Sequence, residues 1–422
     1  MKQRIAYGRS SIDVDVPGDA TIVAAAQASA LADERSAFEE SVRSPIGSRA
    51  LREVVSANDR VVIVTSDVTR ATPNERLIPW ILDELAHVPA AQMTVLIGTG
   101  SHRSTTPAEM RQMFGEDVLR RVRVVDHNAH DAAQVVRVGT TAAGTAAYLN
   151  TDYVRADKRI VVGFIEPHFY AGFSGGPKGV MPGVAGIETV TYFHSAEMIG
   201  DPRTTWLNLD RNPVQDMARE VTAMRPPEFL VNVTLDRERA ITGFFCGDYV
   251  RAHARGAAHC KSFASAGFDA PYDVVVTGNG GYPLDQNLYQ CGKGLTAAAQ
   301  IVKPGGTIVL CAECSDGFPD HGNFKRLLGL RKTPADLLAM IEEPGFATYD
   351  QWAAHSQALV QLQARVLMYS SLSDDDVRSA LLEPTRDPSG AVRSALAAAG
   401  TGARCAVLPE GPYVVPYLNV FA

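Results

Sequence analysis

Five short apolar runs, at residues 60–65, 93–97, 160–165, 273–277 and 307–311, are rich in β-branched side chains and end in turns rich in Gly, Ser, Thr or Asp. None alternates apolar with polar residues, as a strand with one wet face would. They therefore read as parallel strands buried on both faces. Helical patterns at 74–86 and 107–114 follow the first two runs. Alternating strand and helix predicts layered α/β architecture, and in such folds ligands gather at the carboxyl ends of the strands.

At 422 residues with 46% hydrophobic content, the chain exceeds what one ordinary core organises, so two α/β domains are expected. The Ala-, His- and Arg-rich stretch 250–270 precedes a fresh strand signal at Tyr272. The boundary is placed there, giving a catalytic, cofactor-binding domain over 1–268 and a substrate-binding domain over 269–403. The second turns mostly helical from Pro334, and the segment 404–422, with its strand-like run Cys405, Ala406, Val407 and Leu408, is expected to return to the first.

The net charge of -7 leaves no basic stripe for a nucleic acid, so a small-molecule partner is expected. The start of the chain lacks the apolar core of a signal peptide, and no apolar run is long enough to span a bilayer. A cytoplasmic location without membrane contact follows. Six cysteines are too sparse for a disulfide framework. Cys311 and Cys314 make one CxxC, which is half of a tetrahedral zinc site, so buried thiols are expected.

The densest motif, residues 166–183, carries five glycines in eighteen positions, with Ser174 and Lys178 among them. Glycines such as Gly175 and Gly176 permit positive φ and can turn N–H groups toward an anion. The spacing is not that of a P-loop, because Gly179 follows Lys178. A tight strand-to-helix connection with a solvated lysine would look similar. Neighbouring strand ends add reactive groups. The first run ends in Asp67, Val68, Thr69 and Arg70, whose guanidinium can grip a carboxylate or phosphate. The second delivers His102, and the third His168. Sixteen residues beyond Lys178 stands His194, a candidate metal ligand through neutral imidazole or a helix-face histidine. In the second domain Gln290 and Lys293 lie three apart, so a helix would set them on one face, with Tyr289 adjacent. Arg103, Phe169, Tyr170 and Trp352 are further candidates for the substrate pocket.

Together, DVTRATP at 67–73, GTGSHR at 98–103, EPHFYAGFSGGPKGVMPG at 166–183, FHS at 193–195 and LYQCGK at 288–293 resemble the lactate racemase family that uses a nickel-pincer nucleotide. The resemblance implies two α/β domains with the active site in the cleft between them. It implies a racemase or epimerase inverting C2 of a small, lactate-like 2-hydroxy acid. Lys178 would carry the cofactor, Ni(II)-pyridinium-3,5-bisthiocarboxylic acid mononucleotide, covalently, and thereby bring it to the nickel site. His194 would ligate the nickel. Asp67, Val68, Thr69 and Arg70, with Ser174, Gly175 and Gly176, would line the cofactor. His102 and His168 would be alternating acid and base, and Arg70, Tyr289, Gln290 and Lys293 would bind substrate. Cofactor biosynthesis proteins would be partners.

Such chemistry is physically sensible. Taking a proton from C2 of a hydroxy carboxylate creates a dianion, whereas taking a hydride needs an electron sink that a metal-bearing pyridinium can provide. Two readings compete at the level of residues: a lysine Schiff base with pyridoxal phosphate, and a non-catalytic solute- or nucleotide-binding protein.

Overall fold

The computed structural model describes residues 1–24, 26, 28–319 and 322–419. The chain forms two compact units, and both contain more than one chain segment. The middle unit comprises Gln27–Phe193 and Arg203–Ser262, and the terminal unit comprises Met1–Ala26, His194–Pro202 and Phe263–Ala422.

In the middle unit the strands are β1 (Val61–Ser66), β2 (Met93–Gly98), β3 (Arg123–Asp126), β4 (Lys158–Phe164), β5 (Phe229–Leu235) and β6 (Ile241–Gly247). They make one sheet in the order β6-β5-β4-β1-β2-β3, parallel except for the β5–β6 pair. β1 is buried along its first five residues, as its unbroken apolar sequence requires. Each such Val or Ile removed from water contributes roughly 1.5–3 kcal/mol. Helix α1 (Asn74–Glu84) lays Leu77, Ile78, Ile81 and Leu82 into the core beside Ile63 and Val95. Helix α2 (Pro107–Arg121) starts on a capping box of Thr106 and Glu109 with Pro107 in its first turn. The helical pattern seen to Phe114 continues to Arg121 beyond a break at Gly115, whose φ is 72°. Helices α3 (Ile187–Phe193), α4 (Pro213–Met224) and α5 (Arg251–Ala264) follow.

The terminal unit has a second sheet of β7 (Tyr272–Thr277), β8 (Val302–Cys311), β9 (Arg365–Tyr369), β10 (Glu383–Pro384) and β11 (Cys405–Leu408). With the short strand Thr21–Ile22 the order is β10-β9-β8-β7-β11 and then Thr21–Ile22, parallel throughout. Helices α6 (Gly292–Ala299), α7 (Gln351–Gln363) and α8 (Pro388–Ala399) connect these strands.

The boundary expectations change, and besides the two ends of the chain His194–Pro202 also joins the terminal unit. The segment after residue 404 does not return to the middle unit: β11 pairs with β7, and Val415–Leu418 pairs with Ser265–Phe268. Residues 420–422 of that segment lie outside the described residues. Residues 1–26 leave the expected first domain for the terminal unit, because the hairpin of Lys2–Tyr7 and Ser10–Asp15 buries Ile5 and Val14 in that unit's core. All six cysteines are buried thiols, and the Cys314 Sγ lies 3.7 Å from that of Cys291.

Candidate active site

In the middle sheet, connections run outward from β1 toward β2 on one side and lead to β4 on the other. Such a reversal leaves a crevice beyond the carboxyl ends of the two central strands. The turns leaving β1 and β4 carry Asp67 to Arg70 and Glu166 to His168, and β2 next door ends in the loop with His102.

Asp67 is the pivot of the first turn. Its Oδ1 accepts from the Thr69 hydroxyl at 2.6 Å and the Thr69 amide at 3.2 Å, and its Oδ2 meets His102 Nδ1 at 2.7 Å. Burial alone would raise this carboxyl, but the bond and charge of His102, with Thr69 and Arg70, outweigh it and hold Asp67 below the usual range. An ionised Asp67 can only accept, so His102 Nδ1 carries a proton, and whenever the ring is neutral its Nε2 is left with the lone pair. The carboxylate is 7% exposed and the imidazole 47%, so the basic edge faces outward from a buried anchor. Both Asp67 oxygens are thus engaged, Oδ1 by Thr69 and Oδ2 by His102.

His168 sits in a small hairpin, Pro167–His168 against Gly172–Phe173, closed by the Ser174 amide on the Glu166 carbonyl. Gly172 at φ 74° makes that hairpin possible, since a Cβ there would lie 2.1 Å from the Asn208 carbonyl oxygen. His168 Nδ1 accepts the Tyr170 and Ala171 amides at 3.1 and 3.3 Å, and Phe169 stacks on the ring. A ring nitrogen that accepts main-chain N–H groups carries no proton, so the neutral His168 ring holds its proton on Nε2. The two histidines thus rest in opposite tautomers.

Lys178 lies in the single turn Gly176–Gly179. Desolvation pulls its amine down to about 7, with the Arg70 charge adding to the effect and Glu166 opposing it. Nζ stands 5.5 Å from the Phe193 ring centre. Arg70 pairs with Glu166 at 3.3 Å. Glu166, the residue that sets this guanidinium, carried no sequence signal beyond its place in the motif. Gly176 is closely packed: its amide donates to Asn232 Oδ1 at 2.8 Å, and a Cβ there would lie 2.4 Å from the His253 ring. Ser174 Oγ donates to the Phe164 carbonyl and accepts from the Glu166 amide. Arg103 is turned away into a surface pair with Glu109.

In the terminal unit, Trp352 on α7 joins two of the named residues. Its Nε1 donates to the Tyr289 hydroxyl at 3.0 Å, and its ring lies 4.7 Å from that of His194. His194 follows α3 in a turn and does not lie on a helix face. Gln290 also precedes its helix, because α6 begins only at Gly292. The Lys293 amide nevertheless bonds the Gln290 carbonyl at 3.2 Å, so the two share one turn.

The family profile for the lactate racemase N-terminal domain matches residues 7–206, and that for the C-terminal domain matches 269–415. A lactate racemase from Thermoanaerobacterium thermosaccharolyticum is 33% identical over 420 residues, 97% of this chain and 98% of that protein. The chain belongs to the lactate racemase family. Another racemase of the family, from Lactiplantibacillus plantarum, is 36% identical over 389 residues, 90% of this chain and 91% of that one. The structure of the lactate racemase apoprotein from Thermoanaerobacterium thermosaccharolyticum superposes with a TM-score of 0.91 at 32% identity, over 99% of this chain and 100% of that one. A Thermotoga maritima protein at 19% identity shares the fold, with a TM-score of 0.68 over 91% of this chain and 98% of that one. This family member is accordingly an isomerase of the racemase type, built as a two-domain α/β protein. Among the described residues no helix is long and apolar enough to cross a membrane.

Proposed function

We propose that the chain interconverts the enantiomers of a small, lactate-like 2-hydroxy acid, working with a nickel-pincer nucleotide bound covalently at Lys178. The observation that carries this reading is the occurrence, at the ends of neighbouring strands of one sheet, of an Asp67–His102 pair anchored on a buried carboxylate and a lysine amine depressed to about 7. A lysine with that pKa is largely uncharged just above neutrality, which covalent attachment of an acyl-type group requires. The neighbouring Arg70 guanidinium supplies the charge a nucleotide phosphate or substrate carboxylate needs. The residues therefore fit the group. Asp67, Val68, Thr69 and Arg70 with Ser174, Gly175 and Gly176 would line it, and His194 would hold its nickel. When bound, the nucleotide supplies an acceptor for the hydride leaving C2.

The protein's own groups manage the proton. His102 Nε2 takes the hydroxyl proton as C2 becomes planar, and the resulting imidazolium is stabilised by ionised Asp67. His168 presents Nε2–H, suited to donating a hydrogen bond to the substrate oxygen. To accept a proton from the opposite enantiomer, its Nε2 must first lose that proton, with the proton moving to Nδ1 and the Tyr170 and Ala171 amides released. In the terminal unit Gln290, Lys293 and Tyr289 are assigned to substrate binding, and proteins that build the cofactor are the expected partners. A pyridoxal Schiff base would also favour a depressed lysine, but membership of a racemase family and two histidines at strand ends favour the pincer reading.

The test is to load the full chain with cofactor and incubate it with pure L- and D-lactate and with longer 2-hydroxy acids. Loss of optical purity from both hands is expected, with Lys178→Ala lacking both the covalent mass adduct and the activity. Wild-type rates in nickel-free protein or in Lys178→Ala would overturn the reading.

A further inference from the structure

Residues 174–185 carry Lys178, yet they contain little regular structure: one short turn at Gly176–Gly179, followed by turns up to the start of α3. Main-chain groups in such a segment need partners from elsewhere. At its two ends those partners are buried histidines. His253 Nε2 on α5 meets the Ser174 carbonyl at 2.9 Å. His127 Nε2, just past β3, meets the Ala185 carbonyl at 2.9 Å. A carbonyl only accepts, so both rings donate from Nε2, and each is 1% exposed. The second nitrogen of His127 is 3.1 Å from Asn150 Nδ2, which donates to it and fixes the tautomer.

Burying a polar ring is costly unless its hydrogen bond is needed, and an apolar residue of like size would fill either space more cheaply. His127 does more than fill space. Its amide donates to the Ile97 carbonyl at 2.9 Å, and its carbonyl accepts from the Thr99 hydroxyl at 2.6 Å, both in the strand end that leads to His102. The Gly100 amide in turn bonds the Gly183 carbonyl at 2.9 Å. His253, for its part, packs so closely on Gly176 that no larger residue fits there.

We propose that His127 and His253 are positioning residues of the racemase site, clamping the two ends of the Lys178 segment and, through His127, setting its register against the His102 loop. The proposal rests on the assignment of Lys178 and His102 to the site. Neither histidine touches substrate. Each acts by placing an N–H donor at the distance from its backbone that Nε2 reaches, and so fixes a carbonyl there.

The test uses the full-length chain with His127 and His253 replaced in turn by Leu, Asn and Gln. Gln places its amide nitrogen near the position of Nε2, whereas Asn stays polar but falls short and Leu has no donor. Hydrogen exchange of amides 174–185 is read without cofactor. Cofactor-loaded protein is then assayed for kcat and KM. In the Leu and Asn variants, exchange in this segment should rise about tenfold while β4 stays protected. Their kcat should fall by about ten- to a hundredfold with KM little changed, as small misplacements of reacting groups do. Gln should restore both. Wild-type exchange and kcat in folded Leu or Asn variants would overturn the proposal, as would Gln variants as impaired as Asn. If the loaded wild type racemises no 2-hydroxy acid, the functional reading has failed, and the exchange measurements still decide the clamp.

Discussion

At the scale of single residues, the histidines divide by environment. His102 is exposed at its reactive edge and anchored at the other, whereas His127 and His253 are sealed in and neutral. If Asp67 orients His102 and stabilises its charged form, Asp67→Asn should fold normally and lose kcat by about a hundredfold or more, as loss of such an anchor does elsewhere. Steady-state kinetics on loaded enzyme check this, and an unchanged kcat would place Asp67 outside the proton path. Burial, partly offset in each case by the bond to a carbonyl, depresses His127 and His253 to about 4. Because the unfolded chain then binds more protons than the folded one, stability is full above about pH 6.5 and falls as pH drops from there toward 4. Each histidine should contribute about 3 kcal/mol of that fall. Urea midpoints measured from pH 7 to pH 4.5 should show this slope, shallower by one proton in His127→Gln. Of these residues, the sequence displayed Asp67, His102, His168 and Lys178 as unusual groups at strand ends. It could not display His127 and His253, because their partners are carbonyls far away in the chain, and a lone histidine carries no pattern.

At the scale of elements, the strands were legible because burial on both faces leaves an unbroken β-branched run, as in β1, β4 and β7. Helix ends were mixed: the pattern ending at Phe114 stops where Gly115 breaks the helix, with a further helical stretch to Arg121 after the kink, whereas α6 starts two residues after Gln290. The hairpin of Lys2–Tyr7 and Ser10–Asp15 alternates well enough to be seen, but it is a sheet of its own, and the main-chain bond from the Ala6 amide to the Pro409 carbonyl joins residues about four hundred apart, so its unit could not be read. In the glycine-rich motif, Gly175 and Gly176 also answer to packing, against Asn232 on β5 and His253 on α5. Gly176→Ala tests this directly. At φ 54°, with a Cβ 2.4 Å from the His253 ring, the variant should lose about 2–4 kcal/mol of stability. Thermal unfolding of the apoprotein reads it, and a neutral effect would show that the segment yields easily. In the terminal unit, if Lys293 grips the substrate carboxylate, Lys293→Ala should raise KM and cost about 2–4 kcal/mol in kcat/KM. Unchanged kinetics would assign it to solvent.

At the scale of the whole molecule, alternating strands and helices announced two α/β units, while the path of the chain through them stayed hidden. Segments that cross between units, 1–26 and 194–202, are set by long-range packing that no local pattern encodes. Family membership supplies the reaction type, and in the proposed reaction His102 and His168 would move the hydroxyl proton. The central claim is that C2 is inverted by departure and return of a hydride while histidines handle only the proton on oxygen. L-lactate carrying deuterium at C2, incubated with cofactor-loaded enzyme in ordinary water, separates this from proton removal at carbon. Racemised lactate that keeps its deuterium in both hands is the expected result. Deuterium lost to solvent as D-lactate forms, or no D-lactate at all, would contradict it.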